Sequence, residues 1–202
     1  MKKNRQQNSL KATGEVRIIA GNWRGRKLPV LSLEGLRPTG DRVKEMVFNW
    51  LMPYIVDSVC LDCFAGSGSL GFEALSRQAK QVIFLELDKK VANQLSHNLK
   101  TLKCSSEKAN VINQNSLLFL ATIQSEPQFD LVFLDPPFHF DLVDQTIFLL
   151  LKNNWLKPNA LIYIETEKGK IIDVPNDWVL LKEKNTGQVT SRLFQHQDVS
   201  VC

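Results

Sequence analysis

The segment Asp135, Pro136, Pro137 and Phe138 has the residue types best suited to chemistry in this sequence. It follows the apolar run 131–134, which is typical of a buried strand. Prolines lack an N–H, so the loop presents acceptors: the Asp135 carboxylate and the Pro136 carbonyl. These suit the two N–H groups of an exocyclic base amine, and Phe138 can stack on the base. The segment predicts group transfer to such an amine by proximity and alignment, with a rigid turn as the alternative.

A glycine-rich turn predicts a cofactor loop. Gly66, Gly68 and Gly71 have the spacing G-x-G-x-x-G between a predicted strand at 59–64 and a predicted helix at 69–77. Glycines at the end of a strand let the backbone turn tightly and approach a ligand closely. The pattern fits a dinucleotide and S-adenosylmethionine equally, and a turn without a ligand is the third possibility.

Glu86 ends the next predicted strand, 81–87. An acidic side chain there can accept hydrogen bonds from both ribose hydroxyls of an adenosine-type ligand, and a surface glutamate is the alternative. Glu86 does not distinguish NAD from S-adenosylmethionine. The acceptor-only loop at Asp135 does, because a dehydrogenase has no use for it.

Strands and helices that would position these residues alternate from Val59 onward. This alternation predicts an α/β fold, a Rossmann-like doubly wound parallel sheet with helices on both faces. A closing hairpin at 178–183 and 189–195 predicts an antiparallel edge strand. The remaining predicted strands are 109–113, 129–134 and 160–165, and the remaining helices are 89–102, 116–123 and 141–151.

The N-terminal part is basic, with ten Lys or Arg and three acidic residues in 1–42, whereas the whole chain carries +4. A polyanionic partner is therefore indicated. Strands at 16–20 and 27–31 predict a small hairpin with Trp23, Arg24 and Arg26 near its tip, suited to stacking on bases and pairing with phosphates. A plain surface hairpin is the alternative. We predict a disordered tail at 1–15, a hairpin-and-helix extension at 16–53 and a main domain at 54–202.

Cys60 and Cys63 have C-x-x-C spacing, but no second Cys or His pair stands at ligand spacing. Buried reduced thiols, and no metal, are the expectation. The N-terminus is basic and polar without an apolar stretch, and no apolar run has the length of a membrane span. These features predict a cytoplasmic protein that does not bind membranes.

From Val16 to Gln195 the chain resembles the RsmD family of bacterial small-subunit ribosomal RNA guanine-N2 methyltransferases. The FLDPPF block is shared with several families, whereas the N-terminal and C-terminal blocks make the resemblance specific. The blocks are RIIAGNWRGRKLPV (17–30), LRPTGDRVKEMVFNWL (36–51), LDCFAGSGSLGFEALSR (61–77), FLDPPF (133–138), ALIYIE (160–165) and GQVTSRLFQ (187–195).

The resemblance implies a seven-stranded class I methyltransferase sheet with an antiparallel last strand. It implies S-adenosylmethionine as cofactor and a guanine of 16S ribosomal RNA as substrate, in naked RNA or a partly assembled subunit. Nothing demands more than a monomer. The implied cofactor contacts are Asp62 on the methionine side, Phe64, Gly66, Ser67, Gly68, Glu86 on the ribose, Leu87, and Asn115 and Ser116 at the adenine. Residues 135–138 would hold the guanine, and Trp23, Arg24, Arg26, Arg37 and Arg42 the RNA.

Three alternatives remain at the level of sequence. The first is an amino-methyltransferase for adenine N6 or cytosine N4, or for protein glutamine, since Asp135 to Phe138 suit any exocyclic amine. Glutamine enzymes typically carry Asn at position 135, and DNA enzymes usually have a larger recognition domain. The second is an NAD-dependent oxidoreductase, although His97, His139 and His196 are scattered and no proton-transfer residue is evident. The third is a non-catalytic RNA-binding module.

Overall fold

The computed structural model describes residues 14–31, 40–126, 128–137 and 141–197. An antiparallel hairpin of β1 (Gly14–Arg17) and β2 (Lys27–Val30) comes first, with a 3₁₀ turn at Gly21–Trp23 in its loop. Helix α1 (Asp41–Trp50) follows. The predicted division into tail, extension and domain stays a prediction, but Ile18 and Leu28 of the hairpin region share one apolar cluster with residues of the sheet.

A seven-stranded sheet forms the body of the protein, so the predicted doubly wound α/β fold is confirmed. Its strand order is β5-β4-β3-β6-β7-β9-β8. The strands are β3 (Val59–Asp62), β4 (Gln81–Glu86), β5 (Ala109–Asn113), β6 (Phe129–Leu134), β7 (Leu156–Glu167), β8 (Trp178–Thr186) and β9 (Val189–His196). The helices are α2 (Ser69–Ser76), α3 (Lys89–Thr101), α4 (Ser116–Leu120) and α5 (Leu142–Lys152).

The last strand, β9, is antiparallel as predicted, but it does not form the edge of the sheet. It pairs with β7 on one side and with β8 on the other, both antiparallel. Strand β8 is therefore the edge and runs in the same direction as the five parallel strands. The hairpin folds back so that the later strand lies inside, where Leu193 and Phe194 are buried, whereas Val179 and Leu180 of β8 are exposed.

Helix α4 and strand β7 differ in length from their predictions for identifiable reasons. Helix α4 ends at Leu120, because the Leu120 carbonyl accepts hydrogen bonds from the side chains of Asn153 (2.7 Å) and Trp155 (3.0 Å). Strand β7 starts at Leu156, because a bulge lets Leu156 pair with Phe129 before the regular register begins. Both changes come from contacts between distant parts of the chain, which local patterns do not report.

The hairpin is attached to α2 through a buried carboxylate. Glu73 is 1% exposed and accepts hydrogen bonds from the backbone N–H groups of Ile19 (2.7 Å) and Ala20 (3.0 Å), and from Arg77 Nε (2.7 Å). Because these two N–H groups bind Glu73 and not the neighbouring strand, β1 ends at Arg17 rather than at Ala20. The hairpin is therefore fixed in orientation on the body.

Two apolar clusters fill the space on the two faces of the sheet. One lies under α1, α2 and α3 and includes Phe48, Phe72 and Phe84. The other lies under α4 and α5 and includes Ile147 and Trp155. Among the residues that the structure describes, no helix is both long and apolar enough to cross a membrane.

Gly71→Ala is expected to destabilise the fold, since a Cβ at this position would lie 2.1 Å from the Phe84 ring. Overpacking of this kind costs about 1–3 kcal/mol. Gly40→Ala is the matched control, since a Cβ there meets nothing within 4 Å. Urea unfolding of the two variants measures the difference, and equal unfolding midpoints would contradict tight packing between α2 and β4.

Candidate active site

The carboxyl ends of β4, β3 and β6 lie side by side and carry the three predicted functional segments. Asp62 is in register with Phe84 of β4 and with Phe133 of β6. Adjacent strands are about 4.8 Å apart, so Glu86 on β4 and Asp135 after β6 start from strand ends separated by about 10 Å. That span suits a nucleoside-sized ligand, and open α/β sheets bind ligands where the strand order reverses, here between β3 and β6.

The glycine loop leaves β3 in a conformation that requires glycine. Gly66 and Gly68 have φ values of 50° and 74°, in the left-handed region that side chains other than glycine rarely adopt. A Cβ on Gly68 would also lie 2.3 Å from the Phe72 ring and 2.7 Å from Leu95. The backbone of the loop can therefore approach a ligand without obstruction by its own side chains.

Glu86 holds the glycine loop against the end of β4. Its Oε2 accepts the Gly66 N–H at 2.9 Å, and its Oε1 accepts the Asp88 N–H at 2.7 Å. Burial raises the pKa of Glu86, and hydrogen bonds from the backbone N–H groups of Asp88, Gly66 and Leu87 oppose this shift. A carboxylate has about four lone-pair sites, so some acceptor capacity remains for ribose hydroxyls. Leu87 beside it is 68% exposed.

Asp62 is a buried carboxyl below the glycine loop. Burial raises its pKa to about 7, and the charge of Glu86 adds to the rise, whereas the Gly71 N–H, which donates to its Oδ2 at 3.2 Å, lowers it. A nearby cation would stabilise the ionised form of such a buried carboxyl and lower its pKa. The site thus has an electrostatic preference for a positively charged ligand.

The side chains of Asn115 and Ser116, predicted at the adenine, already have structural partners. Asn115 Oδ1 caps α4 by accepting the N–H groups of Leu117 (2.9 Å) and Leu118 (3.2 Å). The Ser116 hydroxyl donates to the Cys63 carbonyl. The amide nitrogen of Asn115 and the backbone of this loop remain for contact with a ligand. Phe64 and Ser67 lie in the glycine loop, half-buried and buried.

The acceptor loop lies where the sequence predicts it, at the end of β6. Asp135 is half-buried, Pro136 is buried and Pro137 is exposed. Phe138 lies outside the described residues, so its stacking role stays a prediction. The charge of Asp135 contributes to a raised pKa of Tyr163 on β7, behind the larger effects of burial and of Glu165. Tyr163 is therefore a neighbour of this loop.

Sequence reasoning missed Glu165 as a site residue. It appeared only within the block ALIYIE, at the end of a predicted strand. Tyr163 and Glu165 are two residues apart and hence share one face of β7, and Glu165 follows the Leu134–Ile164 pair, at the level where Asp135 follows β6. An acid that ends a strand next to the acceptor loop was the signal that could have found it.

The predicted RNA-binding residues at the hairpin tip lie far from the carboxyl edge. The Trp23 N–H donates to Ser76 Oγ at 2.9 Å, at the last residue of α2. Arg26 Nη2 donates to the Thr101 carbonyl at 3.1 Å, at the last residue of α3. Helix α3 begins at the carboxyl edge and spans 13 residues, so the tip lies about 20 Å from that edge. Arg24 and Arg42 are exposed, and Arg37 lies outside the described residues.

Cys60 and Cys63 are both buried, in the clusters on opposite faces of the sheet. Burial raises the pKa of Cys60 to about 12 and that of Cys63 well above its usual value. Within the described ranges, no group of three or more His, Cys, Asp or Glu residues is arranged to hold a metal ion.

Comparison with known proteins identifies the family. The family model described as Conserved hypothetical protein 95 matches residues 16–195. A ribosomal RNA small subunit methyltransferase D of Haemophilus influenzae is 74% identical over 92% of this chain and 96% of its own length. The Escherichia coli protein of that name is 52% identical over 92% of each chain. The chain belongs to the ribosomal RNA small subunit methyltransferase D family.

A solved structure supports the same relationship. The crystal structure of a candidate methylase from Haemophilus influenzae is 69% identical, covers 92% of this chain and 100% of its own, and superposes with a TM-score of 0.83. The range matched by the family model, residues 16–195, includes the glycine loop and the acceptor loop. The family resemblance predicted from the sequence is confirmed.

Asp62→Asn is expected to stabilise the ligand-free protein at pH 8. The folded-state pKa of about 7 lies above the ordinary 3.8, so ionised Asp62 costs stability that grows as the pH rises from about 4 through 7. The amide removes this cost, up to about 4 kcal/mol at 1.36 kcal/mol per pKa unit. Urea unfolding at pH 5 and pH 8 measures the gain, which should be smaller at pH 5.

Asp57→Asn is the control for this measurement, because Asp57 is exposed and its φ of 60° is tolerated by Asn. Its stability should change little at either pH. An Asp62→Asn variant that is less stable than the parent at both pH values would show that the carboxylate contributes favourable interactions that outweigh its burial.

Proposed function

We propose that this protein transfers a methyl group from S-adenosylmethionine to the exocyclic N2 amine of a guanine in small-subunit ribosomal RNA. The observation that carries the proposal is the adjacency of the glycine loop, Glu86 and the Asp135 loop on three neighbouring strand ends. A cofactor and a base amine can meet there. Relatives named ribosomal RNA small subunit methyltransferase D support both the reaction and the RNA substrate.

The residues around β3 and β4 fit a cationic nucleoside cofactor. Glu86 would accept the ribose hydroxyls with its remaining lone pairs, and the backbone of Gly66 to Gly68 would hold the methionine part. Asp62 would provide a counter-charge beneath it. Leu87, Asn115 and Ser116 would line the adenine. The cofactor, when bound, supplies a methyl group on a sulfonium, which is a good leaving group.

The Asp135 loop would hold and orient the base. The Asp135 carboxylate and the Pro136 carbonyl accept the two N–H groups of the exocyclic amine, and this directs the nitrogen lone pair toward the methyl carbon. The nitrogen would form a bond to that carbon while the bond from the carbon to the cofactor sulfur breaks and leaves a neutral thioether, and the nitrogen would then release one proton. The Asp135 carboxylate is the acceptor already in contact with this proton. The loop therefore combines positioning with proton removal.

RNA binding would rest on the hairpin as well as on the site. Trp23, Arg24 and Arg26 provide an aromatic ring and two cations about 20 Å from the carboxyl edge, measured along α3. An RNA that reaches both places must extend several nucleotides beyond the target base. Such a footprint suits a folded ribosomal RNA, in naked form or in a partly assembled subunit, bound by a monomer.

Asp135→Ala should strongly reduce methyl transfer while preserving cofactor binding, because it removes the main acceptor for the amine. We expect kcat to fall by a factor of about 10²–10⁴, as for removal of a proton-transfer group.

Glu86→Gln should instead weaken S-adenosylmethionine binding about 10–100-fold, the effect of a charged hydrogen bond. Transfer of labelled methyl to a 16S ribosomal RNA transcript and calorimetric titration measure the two effects. Wild-type turnover in Asp135→Ala would refute the acceptor role.

The double substitution of Arg24 and Arg26 by Ala should weaken binding of the RNA transcript and flatten its salt dependence, with the slope of log K against log salt reduced by about 1–2. Cofactor affinity should not change. Lys152→Ala on α5, across the sheet from the hairpin, is the control. Unchanged RNA affinity in the double variant would leave the hairpin as a plain surface element.

A further inference from the structure

Glu165 is a buried carboxylate beside the acceptor loop, and the reaction proposed above does not use it. It is 6% exposed. Phe133 pairs with Tyr163 and Leu134 with Ile164 across β6 and β7, so Asp135 and Glu165 follow at the next level of neighbouring strands. The Phe133 and Tyr163 rings contact each other, with centroids 6.3 Å apart, which shows that alternate residues of both strands share one face.

The Glu165 side chain is held on one side only. Tyr163 Oη donates to Glu165 Oε1 at 2.7 Å and lies 3.1 Å from Ser191 Oγ. Ser191 is the register partner of Glu165 on β9. The second oxygen, Oε2, accepts no hydrogen bond from any residue in the part of the chain that the structure describes. Because Oε2 accepts no such bond, this oxygen is available to a donor brought by a ligand.

Guanine differs from the other amino-bearing bases in the atom next to its amine on the Watson–Crick edge. In guanine, the neighbour of N2 is the N1–H donor. In adenine the neighbour of N6 is N1, and in cytosine the neighbour of N4 is N3, and both of these are acceptors. A carboxylate accepts hydrogen bonds from donors and repels acceptor lone pairs. A second carboxylate beside the first can therefore separate guanine from adenine and cytosine.

We propose that Glu165 is the residue that selects guanine, by accepting the N1–H of the base while Asp135 and Pro136 hold its N2 amine. This inference rests on the proposed methyl transfer to a base amine. It accounts for selection of guanine, which the acceptor loop alone does not provide because that loop suits any exocyclic amine. Tyr163 and Ser191 act as positioning residues, because they fix Oε1 and leave Oε2 for the base.

The test uses an RNA in which the target guanosine is replaced by 2-aminopurine riboside. The target is first located by mass mapping of a 16S ribosomal RNA transcript methylated by the wild-type protein. 2-Aminopurine keeps the N2 amine but has an acceptor at N1. Wild-type kcat/KM should therefore be about 10–100-fold lower on this RNA, the effect of one charged hydrogen bond.

Glu165→Gln should shift this preference, because the Gln amide can donate to N1 of 2-aminopurine. The ratio of kcat/KM for guanosine RNA over 2-aminopurine RNA should fall at least tenfold. Tyr163→Phe keeps the carboxylate but removes the hydroxyl that fixes Oε1, so it should retain the preference for guanosine at a lower kcat/KM. Glu107→Gln, at an exposed acid before β5, should leave both the ratio and the rate unchanged.

Two results would overturn the assignment of Glu165. One is equal wild-type rates on the two RNAs, a comparison that needs no folded variant. The other is a folded Glu165→Gln protein with the wild-type ratio, since a purely structural role lowers stability without changing base preference. Absence of methyl transfer to any guanosine by the wild-type protein would instead refute the proposed function itself.

Discussion

Pairing of β3 on both sides is the constraint on which the arrangement of the site depends. With only four residues, β3 is hydrogen-bonded to β4 and to β6. This pairing brings three loops that are distant in sequence to one edge of the sheet. Two further hydrogen bonds continue it beyond the strand: Cys63 N–H to the Phe133 carbonyl (3.1 Å) and Ala65 N–H to the Leu85 carbonyl (3.0 Å). The glycine loop is therefore positioned by its neighbours and not by its own sequence alone.

The same geometry concentrates carboxyl groups that are unfavourable in the ligand-free protein. Burial raises the pKa values of Asp62, Glu86 and Glu165, and Asp62 and Glu86 also repel each other. Each carboxyl is kept in place by backbone N–H groups or by a neighbouring hydroxyl. A site that is strained by desolvated negative charge gains most from a ligand that brings a cation and N–H donors. Lower stability without ligand is the usual counterpart of such preorganisation.

Much of this architecture was predictable from the sequence, because strand–helix alternation and the residues at strand ends are local features. The positions of Gly66, Glu86 and Asp135 at one edge follow from parallel strands. Pairing between distant segments was not predictable. This pairing places β9 between β7 and β8, and it puts Glu165 at the same level as Asp135 on the neighbouring strand. The capping role of Asn115 depends on where α4 begins. The hairpin was predicted, but its docking through Glu73, which sets the direction of the tip, depends on a single buried carboxylate within an otherwise ordinary helix.

The docking of the hairpin bears on how a substrate would be selected. Glu73 and Ser76 hold it on α2, and the Asn98 side chain donates to the Pro29 carbonyl from α3 at 3.0 Å, so the hairpin is a rigid part of the surface. A rigid contact about 20 Å from the carboxyl edge, the length of α3, would not adapt to the RNA and would therefore favour RNA of one shape. The pocket would recognise one base, and the hairpin would accept only RNA whose backbone lies at the correct distance and angle. Base chemistry and RNA shape would thus be recognised at separate places.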